Sequence, residues 1–598
     1  DVARSKDGHW SIRGIGTAGG SSEQPMSPGR LSLDLWLDDV HIDVADERTG
    51  RHYAVLADQL RAWLGSGEVR VGARLRRTGA AGVLTAAGQF RDDGSSGRVW
   101  LAGDNLDVKA MLGDASLGGY TAEQGHGHLE AWLDWRDGKV VRSVLQTDLT
   151  GVSLGTPAGS RVDVAAIRGV MEIRQTGDGY RLAWAGYDGS ALVAVMHRPS
   201  AGAIRIGIAA SRLQLAPLVP WLALKPDMSA GLSHWLGEGK PRGEITRADV
   251  QWQQGVGLTR LDAAFQGLGI DPVGAMPGID RLSGTLRGDA EALSLELPEQ
   301  PTVLRFPRAF RQPFALSRLA GTIAVWHDDG GVHLGADPLD FTGVGYAGQA
   351  RGEVLLPADG GRPFLDLYAH VDRGDVTAAK LFWPLTMPPK AVAWLDRGLV
   401  SGTIDGGDAL VRGSLADWPF LHNEGRFEAQ ARLSDLTLDY GEGWPRAEHV
   451  AAVASFVDNG MLVQAGGGEA MGVKAQHAVA LIPDFGDAAL DLNVSGSGSG
   501  ASLLGFVSHS PIAAREADTL AKLKLGGKGD FEFHLLLPFK DEASFQLNGT
   551  AQLTNADLSA PDWNLKLAQL TGPMQFDGKG LSAGPLQGTF RGQPSTLQ

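Results

Sequence analysis

Hydrophobic and polar positions alternate with a period of two along most of the chain. The first run places leucines at positions 31, 33, 35 and 37 on one side and mostly polar residues between them. After a slip of one residue, Val40, Ile42 and Val44 continue the pattern. A period of two is that of a β-strand with one half-buried face. The chain is therefore predicted to consist mainly of β-strands.

The same alternation recurs in four later segments, and turn sequences such as Asp137-Gly138 and Asn459-Gly460 separate successive strands, as hairpins require. At one strand per 8–12 residues, the chain would hold roughly 40 strands. A sheet of that size either folds over itself into sandwiches or curls into a long groove whose apolar floor needs a ligand. The alternating apolar residues considered for that floor are Leu31, Leu33, Leu35, Leu37, Ile204, Ile206, Ile208, Leu365, Leu367, Leu490, Leu492, Phe531, Phe533, Leu535 and Leu537.

Three short helical inserts interrupt the strands, at about 213–239, 377–398 and 510–526. In the second, Pro388-Pro389 is predicted to start the helix and Gly398 to end it. In the third, Ser510 is the predicted N-cap and Pro511 the first helical residue. A short helix is also expected within 105–125. The glycine- and serine-rich tract 495–500 is predicted to be a flexible connection.

An internal repeat accompanies two of these inserts. Residues 235–245 and 394–404 share the pattern W-L-x-x-G-x-x-x-G-x-I, and the copies lie 394 − 235 = 159 residues apart. We interpret the inserts as boundaries between strand blocks and Trp394 and Leu395 as packing residues. The predicted division is a flexible lead-in at 1–30, groove blocks at 31–212, 241–376, 401–500 and 527–598, and helical inserts at 213–240, 377–400 and 501–526.

Composition limits the possible functions. A chain of 598 residues is too long for one compact core, so several domains or a repeat array are expected. The net charge of −15 argues against a nucleic-acid partner, which would require a basic face. The absence of cysteine excludes disulfides and thiol catalysis. No run of about 18 apolar residues is present. The chain begins at Asp1 and stops soon after a strand-like segment, so a removed signal or anchor is expected.

Three motifs are candidates for a chemical role. The G-x-G-x-x-G match at 343–348 has strand patterns on both sides, whereas a dinucleotide site requires a following helix. His126, His128 and Glu130 would share one face of a strand, but with no fourth ligand in view a solvated polar face is favoured over a metal site. Segment 305–314 interleaves Arg and Phe, and its two prolines favour an edge strand or loop. No catalytic residue, metal or cofactor is therefore predicted.

Several short sequences in the central region resemble those of YhdP proteins, within the AsmA-like group that also includes TamB. The resemblance covers about 200–540 and depends on the order and spacing of its motifs. These motifs are Phe382-Trp383-Pro384, Trp394-Leu395-Asp396, Leu410-Val411-Arg412-Gly413, Asp417-Trp418-Pro419-Phe420, Gly425-Arg426-Phe427-Glu428-Ala429, and Asp439-Tyr440 before Trp444-Pro445.

The resemblance implies a periplasmic protein of the Gram-negative envelope, anchored to the inner membrane by an N-terminal helix that this sequence lacks. It implies a long, twisted, curled antiparallel β-sheet forming an elongated apolar groove, along which phospholipid acyl chains travel toward the outer membrane. The alternating residues named above would line that groove. Expected partners are phospholipids, the inner membrane, and outer-membrane or periplasmic proteins. The alternative is a non-enzymatic scaffold that offers edge strands to outer-membrane proteins during assembly.

Overall fold

A computed structural model describes residues 2–4, 10–12, 32–46, 51–77, 82–93, 95–112, 116–117, 120–137, 139–156, 161–222, 230–274, 276–486, 489–511, 517–540 and 544–597. The chain divides into two compact units. Unit 1 comprises residues 1–273 and 283–290, and unit 2 comprises residues 274–282 and 291–598.

Most of the described residues lie in strands. The strands are β1 (Val2–Arg4), β2 (Trp10–Ile12), β3 (Leu33–Asp46), β4 (Arg51–Gly65), β5 (Glu68–Arg77), β6 (Val83–Arg91), β7 (Ser96–Asp107), β8 (Ser116–Leu117), β9 (Tyr120–Arg136), β10 (Lys139–Gly155), β11 (Arg161–Thr176), β12 (Gly179–Gly186), β13 (Ala191–His197), β14 (Arg205–Gln214), β15 (Arg242–Gln253), β16 (Gly257–Ile270), β17 (Gly278–Gly288), β18 (Ala292–Arg305), β19 (Phe314–Asp328), β20 (Gly331–Gly343), β21 (Tyr346–Pro357), β22 (Phe364–Asp375), β23 (Leu399–Ser414), β24 (Arg426–Leu438), β25 (Ala447–Val457), β26 (Gly460–Ala470), β27 (Val473–Ile482), β28 (Ala489–Ser499), β29 (Lys524–Leu525), β30 (Lys528–Pro538), β31 (Gln546–Ala560), β32 (Leu565–Asp577), β33 (Leu581–Ala583), β34 (Leu586–Phe590) and β35 (Gln593–Leu597).

The helices are short. The α-helices are α1 (Val108–Leu112), α2 (Leu215–Leu222), α3 (Ala230–Gly239), α4 (Pro389–Gly398), α5 (Gly500–Ser508) and α6 (Ala517–Leu520), and 3-10 helices occupy Val376–Phe382 and Pro561–Trp563. Within the described ranges, no helix has the length and apolar character needed to cross a membrane.

Neighbouring strands pair in sequence order within each unit. In unit 1 the antiparallel pairing continues from β3 to β16, with β7 pairing directly to β9, and β1 adds a parallel pair with β3. In unit 2 it continues from β18 onward, with β28 pairing to β30 across the helices α5 and α6. The predicted fold class, mostly β with a long antiparallel sheet and a few short helices, is confirmed.

The predicted slip in the first strand coincides with a residue in the left-handed backbone conformation. Asp39 has a φ of 54° and lies between the pairs Asp38–Gln59 and Val40–Ala57. Because one residue turns out of the alternation, Val40 returns to the face that Leu37 occupies. The strand is therefore continuous from Leu33 to Asp46 although its sequence pattern changes phase.

The second helical insert matches its prediction. Helix α4 begins at Pro389, with Pro388 as N-cap, and ends at Gly398. The first insert forms two helices, α2 and α3, and residues 223–229 between them lie outside the described residues. The short helix expected within 105–125 is α1.

The third insert is helical: α5 and α6 lie within the predicted range 501–526 apart from Gly500, and residues 512–516 lie outside the described residues. The N-cap of its first helix and the structure of the tract before it were predicted wrongly. The helix begins at Gly500, and the N-cap is Ser499, whose hydroxyl accepts from the Ser502 amide at 3.1 Å. Ser510 instead donates to the carbonyl of Val507 beyond the helix end. Residues 495–499 are the end of strand β28 rather than a flexible connection. Gly496 is needed there because a Cβ would lie 2.6 Å from the ring of Phe531 on the paired strand.

The two copies of the sequence repeat adopt the same local structure. Each begins in a helix, α3 or α4, that ends at a glycine whose carbonyl accepts from an aspartate amide: Gly239 from Asp271 at 2.7 Å, and Gly398 from Asp439 at 2.9 Å. The second glycine of each copy has a positive φ, 115° at position 243 and 142° at position 402, where a side chain would overlap the neighbouring strand. Trp394 of α4 donates its indole N–H to the carbonyl of Tyr440 at 3.2 Å.

Among the described residues, each unit contains a small buried cluster. In unit 1, four residues of β10 and β11 (Leu149, Val152, Val162 and Val164) pack with Val108 of α1. In unit 2, the cluster is formed by Leu553, Ala556, Leu567, Leu570 and Leu586. Most other apolar side chains are only half-buried. A large part of the apolar surface therefore remains on the two faces of the sheet, partly in contact with solvent.

Candidate functional site

In unit 1, the strand register joins the apolar positions into one surface. Directly paired residues of antiparallel strands project to the same face. One unbroken line of direct pairs crosses thirteen strands from β3 to β16. Its residues are Leu35, Ala62, Val71, Gly88, Val99, Leu133, Ser143, Ile173, Leu182, Ala194, Ile208, Val250 and Leu261. We call this row, with the residues two positions away on the same strands, the first apolar face. The only hydroxyl in the row is that of Ser143.

Unit 2 carries a comparable surface. A line of direct pairs crosses twelve strands from β19 to β31, and every position in it is apolar or glycine. Its residues are Leu319, Phe341, Gly348, Val371, Gly407, Ala431, Ala454, Val463, Ala480, Leu492, Leu535 and Leu547. We call this row and its same-side neighbours the second apolar face. Each unit thus has one continuous apolar surface.

The structure places the predicted groove residues on these two faces. The first apolar face contains Leu33, Leu35, Leu37, Ile206 and Ile208, and Ile204 directly precedes β14. The second contains Leu365, Leu367, Leu490, Leu492, Phe531, Phe533, Leu535 and Leu537. Leu31 lies outside the described residues. The same faces also contain Val99, Leu133 and Val463, which the sequence analysis did not name. Their strands alternate apolar and polar residues in the same way, and this signal could have identified them.

The apolar faces remain partly open to solvent. On the first, Leu33 is 47% exposed and Val140 is 46% exposed. Along β6 the residues of the first apolar face are half-buried, whereas the intervening Thr85, Ala87 and Gln89 are exposed. Contiguous exposed apolar surface on a protein marks a site for an apolar partner. Both faces therefore have the properties of a binding surface rather than of a finished core.

Aromatic rings fill several glycine positions of these faces. On the first, the ring of Phe90 covers Gly88 and Gly97. On the second, the ring of Phe576 occupies the space where a side chain of Gly549 would be. Glycines in strands weaken a sheet unless a neighbouring group packs over them. The rings therefore keep the apolar surface continuous where the sequence supplies no side chain.

The opposite face of the sheet in unit 1 is polar and carries paired charges. Arg61 contacts Asp34 at 2.9 Å, Arg142 contacts Glu172 at 2.7 Å, and Arg247 contacts Asp262 at 2.7 Å. Hydrogen bonds from Arg142 and Arg174 lower the pKa of the Glu172 carboxyl to about 2. These guanidinium groups and carboxylates neutralise one another, so the polar face carries no large unpaired cluster of charge among these residues.

Unit 2 has polar pairs on the side opposite its apolar face. The hydroxyl of Tyr368 donates to Asp408 at 2.5 Å, and Nδ1 of His370 lies 2.8 Å from the same oxygen. These two contacts hold the pKa of Asp408 below its usual value. Tyr368, His370 and Asp408 form a network across β22 and β23, because these two strands are directly paired.

The side chains of His126, His128 and Glu130 on β9 are not arranged as a metal centre. All three project to one face of β9, as predicted. Nδ1 of His128 lies 2.7 Å from Asp104, whereas Glu130 accepts the indole N–H of Trp100 at 2.7 Å. Among the described residues, no group of three or more His, Asp or Glu side chains is arranged to hold a metal ion.

The segment rich in Arg and Phe is a loop between β18 and β19, which confirms its prediction. Phe310 and Phe314 make an edge-to-face contact with ring centroids 5.1 Å apart, and Phe314 also packs against Phe382 at 5.3 Å. Arg311 makes a bidentate ion pair with Asp396 of α4, at 2.7 and 3.1 Å. Through the ion pair and the ring contacts, the segment therefore packs against the second helical insert and links it to the sheet. The G-x-G-x-x-G match is likewise structural, forming the turn between β20 and β21.

Comparison with known proteins agrees with this architecture. Residues 34–598 match the family model described as YhdP protein. The chain is 24% identical over 542 residues to the intermembrane phospholipid transporter YhdP of Escherichia coli strain K12. That alignment covers 86% of this chain and 42% of the relative, so the chain spans less than half the length of the curated protein it matches. No solved structure matches the chain.

Proposed function

The chain belongs to the YhdP protein family, and from this membership we propose that its two apolar faces carry phospholipid acyl chains. In the whole protein these faces would be parts of an apolar groove along which phospholipid moves between the inner and the outer membrane. The observation that carries the proposal is the continuous line of direct strand pairs in each unit, in which every residue except Ser143 is apolar or glycine.

The physical basis is the hydrophobic effect. Each CH₂ group removed from water contributes about 0.8 kcal/mol, so an acyl chain is strongly favoured on an apolar surface over water. Aliphatic and aromatic side chains make no directional bonds to the tail. A tail can therefore slide from one strand's residues to the next without breaking a hydrogen bond, and an open side leaves the headgroup in water. No step of this process requires a catalytic residue.

We propose the periplasm as the location, with the full-length protein attached to the inner membrane. Family membership and the printed role of the Escherichia coli relative as an intermembrane transporter support this location. Phospholipid is the proposed ligand, and outer-membrane or periplasmic proteins are proposed as further partners of the full-length protein.

The direct test is to purify the chain, extract it with organic solvent and quantify phospholipid by mass spectrometry. We expect phospholipid in at least stoichiometric amount. A chain that purifies free of lipid while retaining an outer-membrane protein would favour the assembly-scaffold function instead.

A matched pair of variants tests whether the apolar face holds the lipid. Ile206 belongs to the first apolar face, and Val195, on the adjacent strand β13, projects to the opposite side and is 43% exposed. Ile206→Asp places a charge in the proposed lipid path and should reduce bound phospholipid several-fold. Val195→Asp adds the same charge to the same unit and should leave bound lipid unchanged. Equal lipid content in the two variants would contradict the proposal.

A further inference from the structure

The polar side of unit 1 contains a pocket that is lined mostly by residues outside the first apolar face. Its volume is about 1200 Å³, and its lining extends from Asp34 on β3 to Val170 on β11. This exceeds the ~300–1,000 Å³ of most small-molecule sites. The strands from β3 to β11 at about 4.8 Å spacing give it a length on the order of 30 Å. The dimensions fit a short stretch of an extended polymer better than one small molecule.

The floor of the pocket consists of small residues. A line of direct pairs runs from Arg61 through Gly72 and Ala87 to Trp100 and Trp132. A Cβ on Gly72 would meet only a backbone oxygen 4.0 Å away, so the space above it is open. The depression therefore lies between a guanidinium group on one side and two indole rings on the other.

The two indole rings form an ordered apolar wall. Trp100 and Trp132 are directly paired across β7 and β9. The N–H of Trp100 is held by Glu130 at 2.7 Å, which fixes the orientation of that ring, and Trp132 is 38% exposed. Exposed faces of aromatic rings favour flat ligands that present C–H groups and keep their polar groups at the edge.

A polar row runs beside this wall. Direct pairs connect Arg70, Gln89, Arg98, Asp134 and Arg142 on successive strands. This row offers guanidinium and amide N–H donors and carboxylate and amide oxygen acceptors along the length of the pocket. A ligand with many hydroxyl groups can use both kinds of partner.

The charge balance argues against a polyanion. Arg61, Arg70 and Arg142 each contact a carboxylate, respectively Asp34 at 2.9 Å, Glu68 at 2.9 Å and Glu172 at 2.7 Å. A phosphate-rich polymer would have to displace these carboxylates or lie beside them. A polymer of uncharged polar rings would not, because its hydroxyl groups can bond to the ion pairs as they stand.

We propose that this pocket binds a polysaccharide chain, with sugar rings stacked on Trp100 and Trp132 and sugar hydroxyls bonded to the polar row. The inference is independent of lipid transfer, because most of the lining side chains project from the side opposite to the first apolar face, although Val71, Gly88, Val99 and Leu133 of that face also line the pocket. Such a site would let the protein hold a glycan on its polar side while lipid occupies the other.

The test uses the purified 598-residue chain and three hexasaccharides: a β-1,4-linked N-acetylglucosamine hexamer, cellohexaose and maltohexaose. Binding is followed by tryptophan fluorescence and confirmed by titration calorimetry, with dextran sulfate as a charged comparison. We expect saturable binding of at least one hexasaccharide with little dependence on salt. Absence of saturable binding for all three would overturn the proposal. Tighter binding of dextran sulfate that weakens steeply with salt would also overturn it, in favour of an anionic polymer.

Two variants locate the site. Trp132→Ala removes half of the aromatic wall, and Gly72→Leu fills the open space above the floor; each should weaken hexasaccharide binding at least tenfold. Gly72→Leu is expected to fold, since its Cβ meets no side chain. The matched controls are Trp563→Ala, which removes an exposed tryptophan of unit 2, and Gly207→Leu, at another open glycine on the polar side of unit 1. Wild-type affinity in Trp132→Ala and Gly72→Leu, or equal loss in the controls, would refute the assignment.

Discussion

The two faces of the sheet in unit 1 are built from the same strands but perform different physical tasks. The first apolar face offers a surface without directional bonds, because its rows consist almost entirely of aliphatic, aromatic and glycine residues. The polar face carries cross-strand ion pairs such as Arg61 with Asp34 and Arg142 with Glu172. A period of two makes both possible in one strand, since neighbouring residues project to opposite sides. One layer of strands can therefore present an apolar surface on one side and a charged surface on the other.

Glycine positions show the same difference at atomic scale. On the apolar faces, the space of a missing side chain is filled by an aromatic ring, as Phe90 does at Gly88 and Phe576 does at Gly549. On the polar face, Gly72 and Gly207 have open space above them. At these positions the apolar faces are filled, whereas the polar face leaves open space.

The largest expected effect comes from labelling neighbouring residues of one strand. The chain contains no cysteine, so single cysteines introduced at Leu492 and Asn493 can each carry a fluorophore. Leu492 lies on the second apolar face and Asn493 on the opposite side. Brominated phospholipid should quench the label at position 492 strongly and the label at position 493 hardly at all. Equal quenching at the two positions would show that lipid does not distinguish the faces.

A moderate effect is expected from filling glycines. Gly549→Val would overlap the ring of Phe576, and overpacking of this kind costs about 1–3 kcal/mol. Gly207→Val meets no atom within 4 Å and replaces a poor strand former with a good one, so stability should be unchanged or higher. Urea unfolding followed by circular dichroism measures both. Similar losses in the two variants would mean that the faces do not differ in packing.

The smallest effect concerns pH. The folded protein holds the pKa of Glu172 at about 2, below the ordinary 4.5, because Arg142 and Arg174 bond to its charged form. The stabilisation that ionised Glu172 contributes to the fold is therefore present above about pH 4.5 and is lost as the pH falls toward 2. The melting temperature of the wild type should fall across this range more than that of Glu172→Gln, and the two should converge near pH 2. Glu238→Gln, at an exposed glutamate of α3, is the control. A constant difference between wild type and Glu172→Gln from pH 5 to pH 2 would contradict the assignment.

Local sequence signals predicted much of the fold. The alternation from Leu33 onward, the phase slip at Asp39 and the limits of α4 at Pro389 and Gly398 all match the structure. These features depend on residues within a few positions of one another. The error in the tract before the third insert came from a distant contact: Ser495–Ser499 is strand because it pairs with β30, where Phe531 covers Gly496.

The sequence by itself determined that the chain alternates apolar and polar residues, that glycines punctuate it, and that the same helix-to-strand segment occurs twice. Only the tertiary structure decided that Leu33, Leu35, Ile206 and Ile208 share one face, and that Gly72 and Trp100 line the same pocket. The physical reason is that periodicity is set by the geometry of a single strand. A shared face depends on the hydrogen-bond register between strands, and one residue of slip would send a whole strand's side chains to the other side.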